Sequence, residues 1–303
     1  EEGVMSKTVA MAIGFVFFWN SGFIGAEFGL SNSGPFTFLF WRYLALTLLL
    51  LVPTIIKRRL RHYDGVTLMW TAVIGVLAHG VWLACVQVAI DLEVPAGIVA
   101  LIVSLQPLMT GVLSGMITGE RTSFGQWIGL TLGFVGVGIA VGARMSAAEA
   151  STAYGYIVPF GSVVAITIAT LVQRRYRLKF PHIHIPLTEQ LFLQAAATAA
   201  VMALPALAFE SLATDWTVSY LSAMAWLVIA VSLGAYELMW ALLSRIDATS
   251  VASLFYLGPP VTMVMAWLAF GDTLIATDVV GLIVAGAGVL FVAVMSKHRF
   301  NNT

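Results

Sequence analysis

The chain has 303 residues, of which 60% are hydrophobic and only 10% charged, with fifteen Lys and Arg balancing fifteen Asp and Glu. A soluble core cannot absorb that apolar fraction, and a mean hydropathy of +0.94 leaves little room for an extramembrane domain. Zero net charge gives no footprint for nucleic acid or acidic partners, so the chemistry has to lie in or between membrane helices, with the lipid bilayer and a small solute as partners.

A hydrocarbon core about 30 Å thick takes roughly 20 apolar residues in helix to cross. Ten stretches reach that length, at 5 to 27, 36 to 56, 67 to 90, 94 to 117, 125 to 143, 154 to 173, 187 to 209, 219 to 243, 247 to 270 and 277 to 296. Their apolar runs are continuous rather than alternating, which excludes a β-barrel and leaves an all-α membrane protein of ten helices. The first stretch, after Lys7, is longer than a signal-peptide core and lacks a convincing small-residue cleavage site, so it reads as a retained span. Cys85 is the single cysteine and lies in an apolar stretch, so no intrachain disulfide is expected.

Basic residues favour cytoplasmic loops. With the N-terminus inside, thirteen of the fifteen Lys and Arg fall on the cytoplasmic side: Lys7, the run Lys57-Arg58-Arg59-Leu60-Arg61, Arg121, the run Arg174-Arg175-Tyr176-Arg177-Leu178-Lys179, Arg245, Lys297 and Arg299. Of the others, Arg144 lies in an opposite-side loop and Arg42 within a span. Both termini are therefore expected in the cytoplasm.

A shift of 152 positions superposes span on span and aligns Leu105, Pro107, Thr110, Gly119, Gly129 and Gly136 with Leu257, Pro259, Thr262, Gly271, Gly281 and Gly288 without a gap. The chain reads as a duplicated unit, 1–150 and 151–303. A unit of five spans is odd, so its second copy enters the membrane from the other face, and inverted repeats support alternating access around a shared central site.

Candidate site residues follow from what lipid penalises. Asn20, Gln87, Ser104, Gln106 and Tyr256 are neutral hydrogen-bonding groups that either meet a solute or join helices. Arg42 sits about 10 Å inside its span, too deep for easy snorkelling, where it either holds a substrate carboxylate or pairs structurally. His79 at mid-span shares a helical face with Trp82; the pair suits an amphipathic solute, and the imidazole either exchanges a proton or bonds a neighbouring helix. In Tyr236-Glu237, the tyrosine is a further candidate, and the acid either reaches the interface or neutralises a substrate amine. Pro107, Pro259 and Pro260 interrupt the fourth and ninth spans and free backbone groups that must face protein or a cavity. The central cavity is expected between spans 1, 3, 4, 6, 8 and 9. Trp70, Trp127 and Trp216 suit the interfaces. Gly129, Gly133, Gly136, Gly138, Gly281, Gly286 and Gly288 suit close helix packing, within the chain or in a homodimer. No metal-ligand spacing, phosphate-binding loop or fixed nucleophile and base is present, so no cofactor and no enzyme activity are expected.

The Trp19-Asn20 start, the Phe40-Trp41-Arg42-Tyr43 opening of the second span, and the pattern from Pro107 through Gly119-Glu120-Arg121 to Gly129 together resemble the drug/metabolite transporter superfamily, in its EamA-type paired-repeat form. The second copy carries Asp272-Thr273 where Glu120-Arg121 stand, so its loop motif is degenerate. Within the superfamily the aromatic-rich spans are most similar to aromatic amino acid exporters of the YddG type. That resemblance implies export of amino acids or similar amphipathic metabolites across a bacterial inner membrane, by a monomer or homodimer. It leaves open proton coupling, other metabolites or drugs, and a channel.

Overall fold

A computed structural model describes residues 2–56, 63–106, 108–110, 113, 124–147, 153–180, 185–243, 245 and 254–300. Pro107, the basic run at 57–61 and the Gly119-Glu120-Arg121 motif lie outside the described residues. Among the described residues the fold is helical without strands, apart from one isolated bridge between Ser33 and Thr214.

The helices in chain order are α1 (Glu2–Leu30), α2 (Pro35–Ile56) and α3, which runs as Gly65–Gly75, a π-helical turn Val76–Val81, and Trp82–Asp91. Then come α4 (Ala96–Val103), α5 (Phe124–Ala147), α6 (Val158–Lys179) and α7 (Leu187–Glu210). α8 runs as Val218–Ala225, a π-helical stretch Trp226–Ala235, and Tyr236–Leu243, and is followed by α9 (Gly258–Phe270) and α10 (Ala276–Phe300). Seven helical stretches are long and apolar enough to cross a membrane, and three shorter apolar helices accompany them at Ala96–Thr110, Phe255–Phe270 and Ala276–Gly288. Their outward faces carry Phe124, Leu204, Phe209, Val218 and Leu268, each at least 71% exposed, which is tolerable only where lipid covers them.

Two antiparallel pairs dominate the packing, α5 with α10 and α2 with α7. The first is a backbone-to-backbone seam. A Cβ added at Gly136 would lie 2.3 Å from the Ala285 amide nitrogen and 2.6 Å from the Gly281 carbonyl oxygen. One added at Gly288 would lie 2.6 Å from the Gly129 oxygen and 2.9 Å from the Gly133 nitrogen. Contacts of 136 with 281 and of 129 with 288 run in opposite order along the two helices, so the pair is antiparallel. The expected role of the glycine run holds at these positions and the contact is within one chain. It fails at Gly138 and Gly286, where an added Cβ meets nothing within 4 Å.

The connections meet in clusters. At the α1–α2 turn, Glu210 caps α2, its carboxylate accepting from Phe36 N (3.1 Å) and Thr37 N (2.6 Å). Nearby, Trp41 Nε1 donates to Thr214 Oγ1 at 3.1 Å and Asp215 N to Asn32 O at 2.9 Å. At the start of α10, Arg144 holds Asp278 through two bonds of 3.0 and 2.5 Å and also donates to Thr273 O at 2.9 Å. Burial raises the neighbouring Asp272 carboxyl above the ordinary carboxylate range, with the Arg144 guanidinium opposing that shift. A third cluster joins Tyr63 to Glu189, and Thr67 to Tyr176 at 2.8 Å.

The seam makes a signed prediction. Gly136→Ala forces two backbones apart and should cost about 1–3 kcal/mol, whereas Gly138→Ala should be neutral or stabilise by up to about 1 kcal/mol. Thermal unfolding of the two variants in detergent separates these outcomes.

Candidate functional site

The irregular helices build the site. Within α3 the Trp82 backbone N–H donates to the Leu77 carbonyl, five residues back, and the rungs of α8 widen in the same way over Trp226–Ala235. Such π-turns rotate the residues beyond them and recur at functional sites. The two stretches correspond: Val76–Val81 shifted by 152 becomes 228–233, inside the second. The helix breaks correspond as well, with the turn at Ser104 and Leu105 matching the 3-10 turn Phe255–Leu257.

Between α3 and α8 lies a cavity lined by aromatic and polar side chains. Trp19, Tyr43, Trp82 and Tyr236 supply aromatic walls, and Arg42, His79, Gln87 and Ser232 supply the polar groups. The Trp19 and Tyr236 rings stand 5.5 Å apart, and the His79 ring lies 5.6 Å from Tyr43 and 6.5 Å from Tyr236. Four sequence candidates, Arg42, His79, Trp82 and Tyr236, are therefore brought together, with Gln87 beside them.

Two polar contacts pin this region. Arg42 on α2 donates through Nη2 to Ser232 Oγ in the π-stretch of α8 at 3.0 Å. Gln194 on α7 bonds His79 Nε2 in the π-turn of α3 through its Oε1 at 3.2 Å. Gly75 allows the second contact, because a Cβ there would stand 2.7 Å from the Gln194 Cα. Several cavity atoms are left over: Arg42 Nε, Trp82 Nε1 and both amide atoms of Gln87 are buried and find no hydrogen-bond partner among the described residues.

Other candidates lie elsewhere. Asn20 donates to Val16 O at 2.7 Å and accepts from Thr262 Oγ1 at 3.2 Å, on the seam between α1 and α9. Gln106 and Tyr256 are half-buried beside the helix breaks and do not line the cavity, and Glu237 is exposed. Pro259 and Pro260 occupy the first turn of α9, where a missing N–H costs nothing, so the interruption falls just before them. The cavity walls come from α1, α2, α3, α7 and α8, and α4, α6 and α9 contribute none of its lining residues. The expected walls at spans 4, 6 and 9 are not met because these helices are engaged in packing, as where Gly97 of α4 meets Met263 of α9. Ser232 and Gln194 escaped residue-by-residue reading, although the 152 shift pairs Arg42 with Gln194.

Bundle and cavity together define a helical membrane protein with a buried cavity of aromatic and polar side chains between its helices. Residues 6–142 match the model of the EamA-like transporter family. An uncharacterized transporter of Archaeoglobus fulgidus is 23% identical over 96% of this chain and 98% of its own length. The uncharacterized transporter YvbV of Bacillus subtilis is 24% identical over 97% of this chain and 94% of its own. A solved crystal structure shares the fold, with a TM-score of 0.63 at 19% identity, covering 97% of this chain and 98% of that one.

Gln87 tests whether the leftover groups serve a ligand. Its buried, unpartnered amide destabilises the empty protein, so Gln87→Leu should raise stability by about 1–2 kcal/mol while weakening solute binding about tenfold. Melting curves and ligand titration on the same preparation check both signs.

Proposed function

We propose that the chain is a secondary carrier that exports small amphipathic metabolites, aromatic amino acids and related compounds foremost, across a bacterial inner membrane by alternating access. Ten spans form two inverted five-helix repeats, 1–150 and 151–303, with both termini in the cytoplasm. The observation that carries this reading is the crossed pair of contacts over the cavity. Arg42 and Gln194 stand 152 positions apart, as do Gly80 and Ser232. Arg42 reaches Ser232, and Gln194 reaches His79, one residue from Gly80. Each repeat thus sends a polar side chain from its second helix into the π-turn of the other.

Further support comes from the α5–α10 seam, where 136 meets 281 and 129 meets 288, the reciprocal pattern of a two-fold axis. The connection clusters agree too, since residues 32–37 meet 210–215, 144 meets 273–278 and 63–67 meet 176–189, always loops assigned to one side. A carrier needs a site reachable from either side in turn and elements able to switch. The cavity is the candidate for the first and the paired π-turns for the second.

In proteoliposomes, labelled phenylalanine or tryptophan should enter saturably and faster against the same amino acid trapped inside. Uptake linear in concentration without trans-stimulation is the signature of a channel and sinks the carrier. His79→Ala and Trp82→Ala should lower the rate by about tenfold or more without preventing insertion. For topology, single cysteines at 65 and 215 in a Cys85→Ser background should label from opposite faces.

A further inference from the structure

The cavity has a charge imbalance that specifies its cargo more narrowly than aromatic walls do. Arg42 is 5% exposed, spends one nitrogen on Ser232, and keeps its Nε buried and unpartnered. No carboxylate occurs among the described residues lining the cavity, and none pairs with this guanidinium. A buried cation without an anion is among the least favourable arrangements in a membrane interior, and it persists where a ligand completes it. Trp82 Nε1 and Gln87 Nε2 are further donors without acceptors on the same cavity, and the Gln87 side chain is fully buried.

We infer that Arg42, with Trp82 and Gln87, forms a carboxylate subsite, so that the cargo is recognised through a carboxylate group carried on an aromatic or apolar body. A carboxylate accepts hydrogen bonds only, through two oxygens, and matches the flat edge of a guanidinium. One guanidinium balances one charge, which disfavours phosphate-like dianions. An α-ammonium group finds no charged partner among these residues and is repelled by Arg42, so it adds nothing to recognition. This deepens the carrier reading and rests on it only in treating the bound anion as cargo.

The test is binding to the purified full-length protein in detergent, followed by isothermal titration with four probes sharing one ring: 3-phenylpropionate, 3-phenylpropanamide, L-phenylalanine and L-phenylalaninamide. Expected is binding of the propionate, no tighter binding of phenylalanine, and at least about tenfold weaker binding of both amides. Arg42→Gln should weaken propionate binding at least about tenfold, with Arg42→Lys restoring part of it. Trp82→Phe, which keeps a ring and removes only the donor, gives a milder loss and serves if Arg42→Gln fails to fold. The inference is overturned if the amides bind within threefold of the acid, if phenylalanine binds more than about tenfold tighter than the propionate, if these variants bind the propionate like the wild type, or if no probe binds. Counterflow with labelled 3-phenylpropionate separates the two claims: binding without trans-stimulated exchange removes the carrier and leaves the anion site.

Discussion

A polar group held in a lipid-embedded bundle must find its partner inside the protein, and the middle of this chain is organised by that requirement. Arg42 and His79 lie deep in their helices and are answered by Ser232 and Gln194 on elements more than a hundred residues away in sequence. Those contacts fix how α2 approaches α8 and how α7 approaches α3. The cavity is the space left between them. Backbone irregularity follows from the same rule, since a π-turn changes which carbonyls are paired, and such turns are tolerated at depth only where protein or a cavity lies alongside.

The proposed symmetry is most informative where it fails. Thr262 bonds Asn20, whereas its counterpart Thr110 has a buried hydroxyl that finds no partner among the described residues, and the position matching Asn20 is Val172. Arg42 likewise corresponds to neutral Gln194, and His79 to Val231. In the proposed repeat the frame occurs twice and the charge once. A symmetric site with two guanidinium groups would bind dianions or repel itself; a single one leaves the site lopsided and selective.

Much of this was legible in the sequence, for identifiable reasons. Helix positions follow from apolar run length, and α2, α7 and α10 begin within one residue of the expected starts. Arg42 and His79 stood out because lipid penalises them wherever they point, so their rarity was itself the signal. Asn20, Gln106 and Tyr256 carried no comparable penalty, and side-chain chemistry does not say whether an amide faces a solute or a neighbouring helix. Asn20 faces a helix. The π-turns were invisible because a shifted hydrogen-bond register leaves no compositional mark: Val76-Leu77-Ala78 reads like any apolar span. Gln194 was recoverable, since applying the repeat shift to each polar candidate, rather than to prolines and glycines alone, leads from Arg42 to it.

The distribution of stiff and pliant contacts bears on how such a carrier turns over. The α5–α10 seam is held by backbone atoms at glycine positions, where sliding brings hard clashes, so this pair moves as a unit. The Arg42–Ser232 contact is a single hydrogen bond beside a helix out of regular register, whereas α7 meets α3 more closely, at Gly75 against the Gln194 backbone and through Thr198 Oγ1 donating to Gly75 O at 3.2 Å. In the proposed carrier, switching would fall on the contacts around the cavity, where cargo would bind. On that reading an empty site would carry an uncompensated guanidinium through its occluded state, and a bound carboxylate would remove that cost. In the proposed carrier, loaded transitions would then be faster than empty ones, so exchange would outrun net movement of cargo.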